Sequence, residues 1–567
     1  MKKTFRGVAA ALVCALLICA LAGCGATIPA PSLPTAEVTI PTPRLPSPVA
    51  AGHGTAALPE VWHADEAFSD MTAQPYDLAQ FEALTAPMYD FAEKGGTDGA
   101  FNALCQDLWN ELNYVYTQYT LADLAYSRNP SDKALADADD DAWDVYSDAN
   151  DEYWAAMHAV AVSDYAYLLD GSFYASWQAD QFASYSGKND AQNTLSDRES
   201  ALEKEYYSEI AARWPDTERI AEIYIELLGI RGELARGAGY GSFAEYCYDN
   251  YYFREYTPED AQELWALTKK YFVPLVERYG DEVNEASLDV YWSDRIDCSA
   301  AALLDAMATV LPQISTELSD VLDYMLDYGL YDIGGDSVRM DTGYTTLLYS
   351  SNEPFIFAKL GGNYYDYTTM FHEFGHFTNY WCTRSDLLFG LPDNDTAELQ
   401  SQGLELLALF FYGELFGAED GKAIADDLLM NVIYSVIDGC MYDEFQQLAY
   451  AETALTPDRL QELYAQVLGD YGYDADEDDY FWMHVEHNFS YPFYYISYAV
   501  SAVPALELFA LATEDFDAAA EAYITAVSVD TEQYYFSDAL GLAGLADPFD
   551  TSASRSVADA VAEYLAK

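Results

Sequence analysis

The hydrophobic pattern of the chain is helical over its first half. Apolar residues recur at spacings of three and four in the segments 101–127, 151–169 and 221–240. Such an amphipathic helix buries one face against its neighbours. The sequence therefore predicts an α-helical N-terminal lobe over residues 58–333.

Two helix starts can also be predicted within this lobe. Thr257 precedes a proline and two acidic residues, a pattern typical of an N-cap and a first helical turn, and Asp260 is part of it. Ser196, followed three residues later by Glu199, has the spacing of a capping box. We expect a helix to begin after each.

The pattern changes between Gly334 and Gly362. Apolar and β-branched runs are interrupted there by Gly, Ser, Asn and Pro, which predicts a small antiparallel sheet. The segment 363–384 that follows returns to a helical period, with apolar residues at Met370, Phe374 and Phe377. We therefore expect a mainly α fold, with a second lobe over residues 334–567 in which this helix packs beside the sheet.

The front of the chain has the pattern of a signal peptide. Basic residues at Lys2, Lys3 and Arg6 precede a short apolar run that ends at small residues. The LAGC sequence at 21–24 resembles the lipobox of bacterial lipoproteins, which implies that residues 1–23 are removed and that Cys24 carries lipid. An uncleaved anchor helix is the alternative, and it would leave the protein on the same side of the membrane.

Residues 24–57 are rich in proline and predict an extended tether. The signal peptide, the LAGC sequence and the tether together predict a protein that lies outside the cytoplasm and is lipid-anchored to the bacterial cell membrane through Cys24. The later cysteines lack paired C-x-x-C spacing, which indicates neither a disulfide framework nor a cysteine-rich zinc module. These cysteines are Cys105, Cys247, Cys298, Cys382 and Cys440.

Composition narrows the classes of partner. The 567 residues are 51% apolar, which is ample for a large folded body. Asp and Glu number 95 against 26 Lys and Arg, and the resulting net charge of −69 repels nucleic acid and anionic lipid. We expect no nucleic-acid partner, and contact with the membrane only through the N-terminal anchor.

The stretch TMFHEFGHFTNYW, residues 369–381, carries the clearest chemistry. Positions i and i+4 of a helix project from one face, so His372 and His376 can place two imidazole nitrogens on one zinc ion. Glu373 would lie beside the metal, where it can take a proton from a metal-bound water. A chance occurrence of this motif on an amphipathic helix is the alternative.

A catalytic zinc needs a third protein ligand, and two familiar spacings fail here. The metzincin spacing would require glycine at Asn379 and histidine at Cys382, and the thermolysin-like spacing ends near Thr396. The helical segment 396–416 instead offers Glu398 as the third ligand of one zinc per chain.

Other carboxylates are alternative candidates for the third ligand or lie near Glu398. Asp386, Asp393 and Asp395 lie in the preceding loop, and Asp395 is also suited to cap the coming helix. Glu405 lies two turns beyond Glu398 on nearly the same face. It would either hydrogen-bond a ligand histidine or be a solvated helix charge.

A second segment with candidate catalytic side chains lies downstream, in residues 482–502. His484 and His487 precede Tyr491, and Tyr495 and Tyr498 share a face if the chain is helical after Pro492. Phenols and imidazoles there can donate hydrogen bonds to a developing oxyanion. With 49 tyrosines in the chain, packing is the alternative for any single one.

Three of these pieces resemble the thimet oligopeptidase and oligoendopeptidase F family of zinc metallopeptidases. They are HEFGH at 372–376, ELQSQGLE at 398–405 and HNFSYPFYYISYAVS at 487–501, with a weaker likeness at 232–260. The resemblance implies that His487, Tyr491, Tyr495 and Tyr498 contact the substrate and stabilise the tetrahedral intermediate. It also implies a two-lobed, zincin-type helical molecule that encloses a deep channel, with zinc at its floor.

The resulting hypothesis is a zinc metalloendopeptidase that hydrolyses short unfolded oligopeptides at the cell surface. Glu373 would assist attack by zinc-bound water, and residues 341–346 would form an edge that pairs with the substrate. A catalytically inactive peptide-binding lipoprotein stays open as an alternative. So does a carboxypeptidase or dipeptidyl carboxypeptidase on the same scaffold.

Overall fold

The computed structural model describes residues 58–59, 61–170, 172, 174, 176–185, 190–383, 387, 394–473, 480–531 and 534–567. The predicted signal peptide, Cys24 and the tether lie outside these residues. The first of the described elements is a single 3-10 turn at Phe68–Asp70, and helices follow it.

The first helices form a core of their own. The first two begin at residues whose side chains cap the backbone: Asp77 accepts from the amide of Ala79, and Thr97 accepts from that of Ala100. Their apolar faces pack together around Phe101, Leu108 and Tyr153. The elements are α1 (Leu78–Lys94), α2 (Asp98–Arg128), α3 (Lys133–Ala161), α4 (Tyr167–Asp170) and α5 (Ser176–Ser184).

The next helices belong to a second, larger core. It contains residues from Leu121 to Val561 and is continuous across residue 333. The division into lobes at residue 333 and the enclosed channel stay predictions. The elements are α6 (Asp190–Ile210), α7 (Thr217–Gly237), α8 (Phe243–Asn250), α9 (Pro258–Tyr271), α10 (Val273–Tyr291), α11 (Ala300–Ile314) and α12 (Thr316–Tyr328).

The predicted small sheet is present, but it is mixed rather than antiparallel throughout. Strands β1 (Tyr331–Gly334), β2 (Gly343–Leu348) and β3 (Glu353–Lys359) lie in the order β1-β3-β2. β2 and β3 form the predicted antiparallel pair, but β1 pairs in parallel with β3. The reason is that β1 precedes most of the predicted sheet region, and the chain crosses to the far side of β3 before β2 begins.

The last part of the chain is helical, and its first helix, α13 (Tyr365–Cys382), lies against the sheet. α13 packs on both β2 and β3 and against α14. The elements are α13 (Tyr365–Cys382), α14 (Asn394–Ala408), α15 (Tyr412–Phe416), α16 (Ala418–Ala451), α17 (Pro457–Asp470), α18 (His487–Ser490), α19 (Ile496–Glu514), α20 (Phe516–Val527), α21 (Phe536–Ala543) and α22 (Thr551–Leu565), with 3-10 turns at Leu409–Phe411 and Phe481–His484.

Helix α19 is the centre of this arrangement. It packs against α14, α16, α20 and α22. Among the described residues it alone is long and apolar enough to cross a membrane, but 78% of its apolar window is buried inside the fold. Its apolar character is therefore explained by its place in the protein core.

Candidate metal and catalytic site

The two histidines of the HEFGH motif lie one turn apart on α13. Their rings are 5.0 Å apart between centroids, and both residues are buried. Gly375 between them allows α14 to approach closely, because a Cβ at this position would lie 2.6 Å from the carbonyl oxygen of Gln400. The glycine thus brings the helix that carries Glu398 against the histidine face of α13.

Glu398 completes a group of three possible metal ligands. One ligand atom from each of His372, His376 and Glu398 lies within 4.8 Å of the others, and all three residues are buried. The Glu398 carboxylate is 3.5 Å from Nε2 of His372 and accepts a hydrogen bond from the hydroxyl of Ser401 at 3.2 Å. The third residue is thus the one that the sequence predicts.

The donor set fits zinc. Nε2 of His372 and Nε2 of His376 are both buried, and neither has a hydrogen-bond partner among the described residues. A buried ring nitrogen without a partner is costly unless something else binds it. Two imidazoles with one carboxylate are the ligands of many catalytic zinc sites, which leave a fourth position open.

Glu405 is hydrogen-bonded to a candidate ligand. Its Oε1 lies 2.7 Å from Nδ1 of His372. Burial of the His372 ring opposes its charge, but the hydrogen bond and charge of Glu405, together with the charges of Glu398 and Glu373, outweigh burial and raise the pKa of His372 to about 9. When the neutral ring binds a metal, this contact would hold the remaining proton on Nδ1 and leave Nε2 as the electron-pair donor.

Glu373 is buried beside this group, with 1% of its surface exposed. Burial raises the pKa of Glu373 to about 7, against the opposing effects of the His372 charge and a hydrogen bond from Thr345. The Thr345 hydroxyl lies 2.7 Å from Oε2 of Glu373 and 2.9 Å from its carbonyl oxygen. A carboxylate with a pKa near neutrality can both take up and return a proton.

Thr345 belongs to β2, which is an edge strand of the three-stranded sheet. The predicted substrate wall, residues 341–346, therefore includes the first four of the six residues of this strand and the two residues before it. The sequence pattern predicts the strand, but it does not predict the contact between Thr345 and Glu373. Nothing in the sequence spacing relates residue 345 to residue 373.

The competing carboxylates fall into two groups. Asp395 lies in the first turn of α14 and is buried, where Tyr256 donates to it at 3.4 Å and Ser497 also hydrogen-bonds to it. Among the described residues, the possible metal group contains Glu398 and not Asp395. Asp386 and Asp393 lie outside the described residues.

The predicted histidine and tyrosines gather in one segment, residues 487–498, which we call the His–Tyr segment. The His487 ring lies 5.5 Å from that of Tyr491 and 5.1 Å from that of Tyr495, and Tyr495 is 5.5 Å from Tyr498. Tyr494, which sequence reasoning did not assign, lies 5.3 Å from His487. Its proximity follows from the tight turn before α19.

His487 is suited to donate a hydrogen bond as a neutral ring. It is 3% exposed, and burial lowers the pKa of His487 to about 3. Its Nδ1 has no hydrogen-bond partner among the described residues. The segment meets α14 through the hydrogen bond between Ser497 and Asp395, one turn before Glu398.

Comparison with solved structures identifies proteins of similar fold. The fold is similar to a structure described as an oligoendopeptidase F (TM-score 0.67, 19% identity, 88% of this chain and 99% of that one) and to PZ peptidase A with an inhibitor (TM-score 0.67, 18% identity, 88% and 99%). It is also similar to a structure described as an oligoendopeptidase F from Bacillus anthracis (TM-score 0.61, 19% identity, 88% and 98%).

Comparison of the sequence matches a smaller part of the chain than comparison of the fold does. None of the curated proteins matches the chain significantly. The model of peptidase family M3 matches residues 332–526, a range that contains the HEFGH motif, Glu398, Glu405 and the whole His–Tyr segment. Residues 332–526, which carry the candidate site, therefore match peptidase family M3, and the fold of the chain is similar to that of oligoendopeptidase structures.

Proposed function

We propose that the protein is a zinc-dependent metalloendopeptidase that hydrolyses internal bonds of short, unfolded oligopeptides. The observation that carries the proposal is the buried group of His372, His376 and Glu398, with ligand atoms within 4.8 Å of one another and Glu373 beside them. One zinc ion per chain is the expected cofactor. The match of residues 332–526 to peptidase family M3 supports a peptidase and is consistent with zinc.

A zinc ion held by these three residues would supply the positive charge that polarises a scissile carbonyl and acidifies a water molecule. Glu373 takes the proton of the attacking water and returns it to the departing amine. Its pKa of about 7, raised by burial, suits both transfers near neutral pH. Thr345 holds the carboxylate through its 2.7 Å hydrogen bond.

The His–Tyr segment would stabilise the negative charge that develops on the carbonyl oxygen. Burial lowers the pKa of His487 to about 3, so the ring is neutral near pH 7 and donates through the one nitrogen that carries hydrogen. The phenols of Tyr491, Tyr495 and Tyr498 are the other donors in this proposal. Removing one such donor typically lowers turnover by about two to three orders of magnitude.

The substrate would bind as an extended strand. β2 is an edge strand, and an extended peptide can add to such an edge through backbone hydrogen bonds. Because Thr345 of β2 contacts Glu373, a peptide beside β2 would lie close to the proposed proton acceptor. The enclosed channel implied by the family resemblance would admit short unfolded peptides.

We further propose that the enzyme acts outside the cytoplasm, anchored through lipid on Cys24. The basic, apolar and LAGC pattern of residues 1–24 supports this location. Mass analysis of the chain purified from membranes tests it directly. A chain that begins at Cys24 and carries lipid is expected, whereas an unmodified chain that begins at Met1 would contradict it.

The peptidase activity is tested with two quenched fluorescent peptides of the same sequence, one with a free C-terminus and one amidated. The full-length protein should contain about one zinc per chain and cleave both peptides at internal bonds. A carboxypeptidase or dipeptidyl carboxypeptidase would cleave only the free peptide, near its end. A peptide-binding lipoprotein would bind both and cleave neither.

A further inference from the structure

The His–Tyr segment contains a strained turn. Phe493 has a φ of +63°, in the left-handed region that non-glycine residues rarely adopt. Pro492 precedes it and fixes its own φ, and α19 begins three residues later, at Ile496. The direction in which Tyr494, Tyr495 and Tyr498 leave this turn therefore depends on a backbone conformation that the rest of the fold must hold in place.

Side chains from distant helices hold the backbone of this turn. The amide of Phe493 donates to Oε1 of Gln446 on α16 at 2.9 Å. The carbonyl of Pro492 accepts from the hydroxyl of Tyr252 at 3.0 Å and from Sγ of Cys247 at 3.3 Å. Both polar atoms of the peptide bond that precedes the strained residue are thus held by side chains.

Arg254 makes the contact that joins the turn to α19. Its Nη2 donates to the carbonyl oxygen of Phe493 at 2.8 Å and to Oγ of Ser497 at 2.8 Å. The guanidinium lies over the faces of Tyr248 and Tyr252, 4.4 and 4.3 Å from their ring centroids. These rings stabilise the cation and limit its orientation.

A second arginine holds the other end of the segment. Arg231 of α7 is 1% exposed and donates through Nη2 to the carbonyl oxygen of Phe489, two residues after His487. Two carboxylates of α6 balance its charge: Glu199 lies 2.6 Å and Glu203 lies 3.1 Å from guanidinium nitrogens. The carbonyls of residues 489 and 493 are therefore each bound by a cation from outside residues 332–526.

We infer that Arg254 and Arg231 are positioning residues for the reaction, which act by fixing the backbone of the His–Tyr segment. The inference rests on the proposed function, in which that segment stabilises the developing charge. Neither arginine needs to touch the substrate, because both donate to carbonyl groups of the segment itself. The helices before the family M3 domain would then contribute to catalysis by holding its donors in place.

The test uses the full-length protein and two variants of the Arg254 contact, Arg254→Met and Arg254→Lys. Methionine keeps much of the side-chain length but removes every donor, and lysine restores one. Arg295→Met is the matched control, since Arg295 is 47% exposed and pairs with Asp289 and Asp420 on the surface. Zinc content, kcat, KM and hydrogen exchange of peptides covering residues 487–498 are measured for each.

For Arg254→Met we expect kcat to fall by about 10- to 100-fold with little change in KM, because the donors are displaced rather than removed. Exchange should become faster over residues 487–498 and stay unchanged over α13 and α14. Arg254→Lys should restore part of both losses. Arg295→Met should match the unchanged protein in every readout.

Unchanged exchange over residues 487–498 in Arg254→Met would overturn the inference. So would a loss of activity fully accounted for by lost zinc or by an unfolded fraction. If the unchanged protein cleaves no peptide, the proposed function fails, and the exchange result alone then decides whether Arg254 holds the segment.

Discussion

Nδ1 of His372 lies 2.7 Å from Oε1 of Glu405, two turns along α14 from the proposed ligand Glu398. The carboxylate orients the ring so that Nε2 points at the group formed with His376 and Glu398. A hydrogen bond of this kind also makes the histidine a stronger ligand. Helix α14 therefore supports the metal group through two residues: Glu398 as the proposed third ligand, and Glu405 as the partner of His372.

Glu405→Ala should therefore weaken zinc binding by about 10- to 100-fold. Glu405→Gln should weaken it less, because the amide oxygen still accepts from Nδ1 but carries no charge. Competition with a chelator measures the affinity. Glu419→Gln, at an exposed position of α16, is the control and should bind zinc as the unchanged protein does. Equal affinity for all variants would show that Glu405 does not support the metal.

Gly375→Ala should destabilise the site. A Cβ at residue 375 would lie 2.6 Å from the carbonyl oxygen of Gln400 and 2.7 Å from Cα of Ser401, both backbone atoms of α14. We expect a loss of about 1–3 kcal/mol in the free energy of unfolding, together with reduced zinc content. Denaturant unfolding and elemental analysis measure the two effects.

Gly229→Ala is the matched control for this change. Gly229 lies inside α7 and has open space around an added Cβ. Alanine there should stabilise the protein by about 0.5–1 kcal/mol, because glycine is the poorer helix former. A Gly375→Ala variant as stable as the unchanged protein would contradict the close packing of α13 on α14.

Thr345→Val should lower kcat by about tenfold, because the proton acceptor Glu373 loses the hydrogen bond that orients it. That hydrogen bond also lowers the pKa of Glu373, so its loss should shift the acidic limb of the pH–kcat/KM profile to higher pH. Thr345→Ser should keep both properties. Thr309→Val, at an exposed position of α11, is the control and should leave both properties unchanged. A profile that does not move in Thr345→Val would argue against the contact.

Two buried carboxyl groups should contribute stability to the folded protein at pH 5 that is lost by pH 8. Glu353 and Asp443 are buried, and burial raises the pKa of each to about 7. Their raised pKa values favour the folded state below the pKa of the unfolded chain, and this contribution is lost as pH rises through about 7. The net charge of −69 acts in the same direction, since acid reduces its self-repulsion.

Thermal unfolding between pH 5 and pH 8 measures this dependence. Glu353→Gln imitates the protonated carboxyl and should reduce the fall in Tm with rising pH. Its oxygen can still accept from the hydroxyl of Tyr324 or the amide of Asp65, the partners of Glu353 in the fold. A fall in Tm in this variant as steep as that of the unchanged protein, or steeper, would contradict the argument.

The sequence predicts the centre of the site because that centre is local. His372, Glu373 and His376 share one helical turn, and Glu398 and Glu405 share the next helix, so helical spacing alone relates the residues within each group. Thr257 likewise forms the predicted capping box with Asp260, through contacts within one turn.

The incorrect and missing predictions concern residues that lie further apart in the sequence. Ser196 does not begin a helix, because α6 begins at Asp190 and residue 196 lies inside it. The parallel pairing of β1 depends on where the chain crosses the sheet, which alternation of apolar residues does not specify. The contact of Arg254 with Phe493 joins residues 239 positions apart. No spacing rule relates such residues, and only the packed fold brings them together.

The most direct test of the proposed mechanism is Glu373→Gln, compared with the unchanged protein for zinc content and for cleavage of the amidated peptide. The substitution keeps the shape of the side chain and removes its capacity to take a proton. We predict about one zinc per chain in both proteins and a loss of turnover of about two to four orders of magnitude in the variant. A zinc-free unchanged protein, or equal cleavage by the two, would contradict the account.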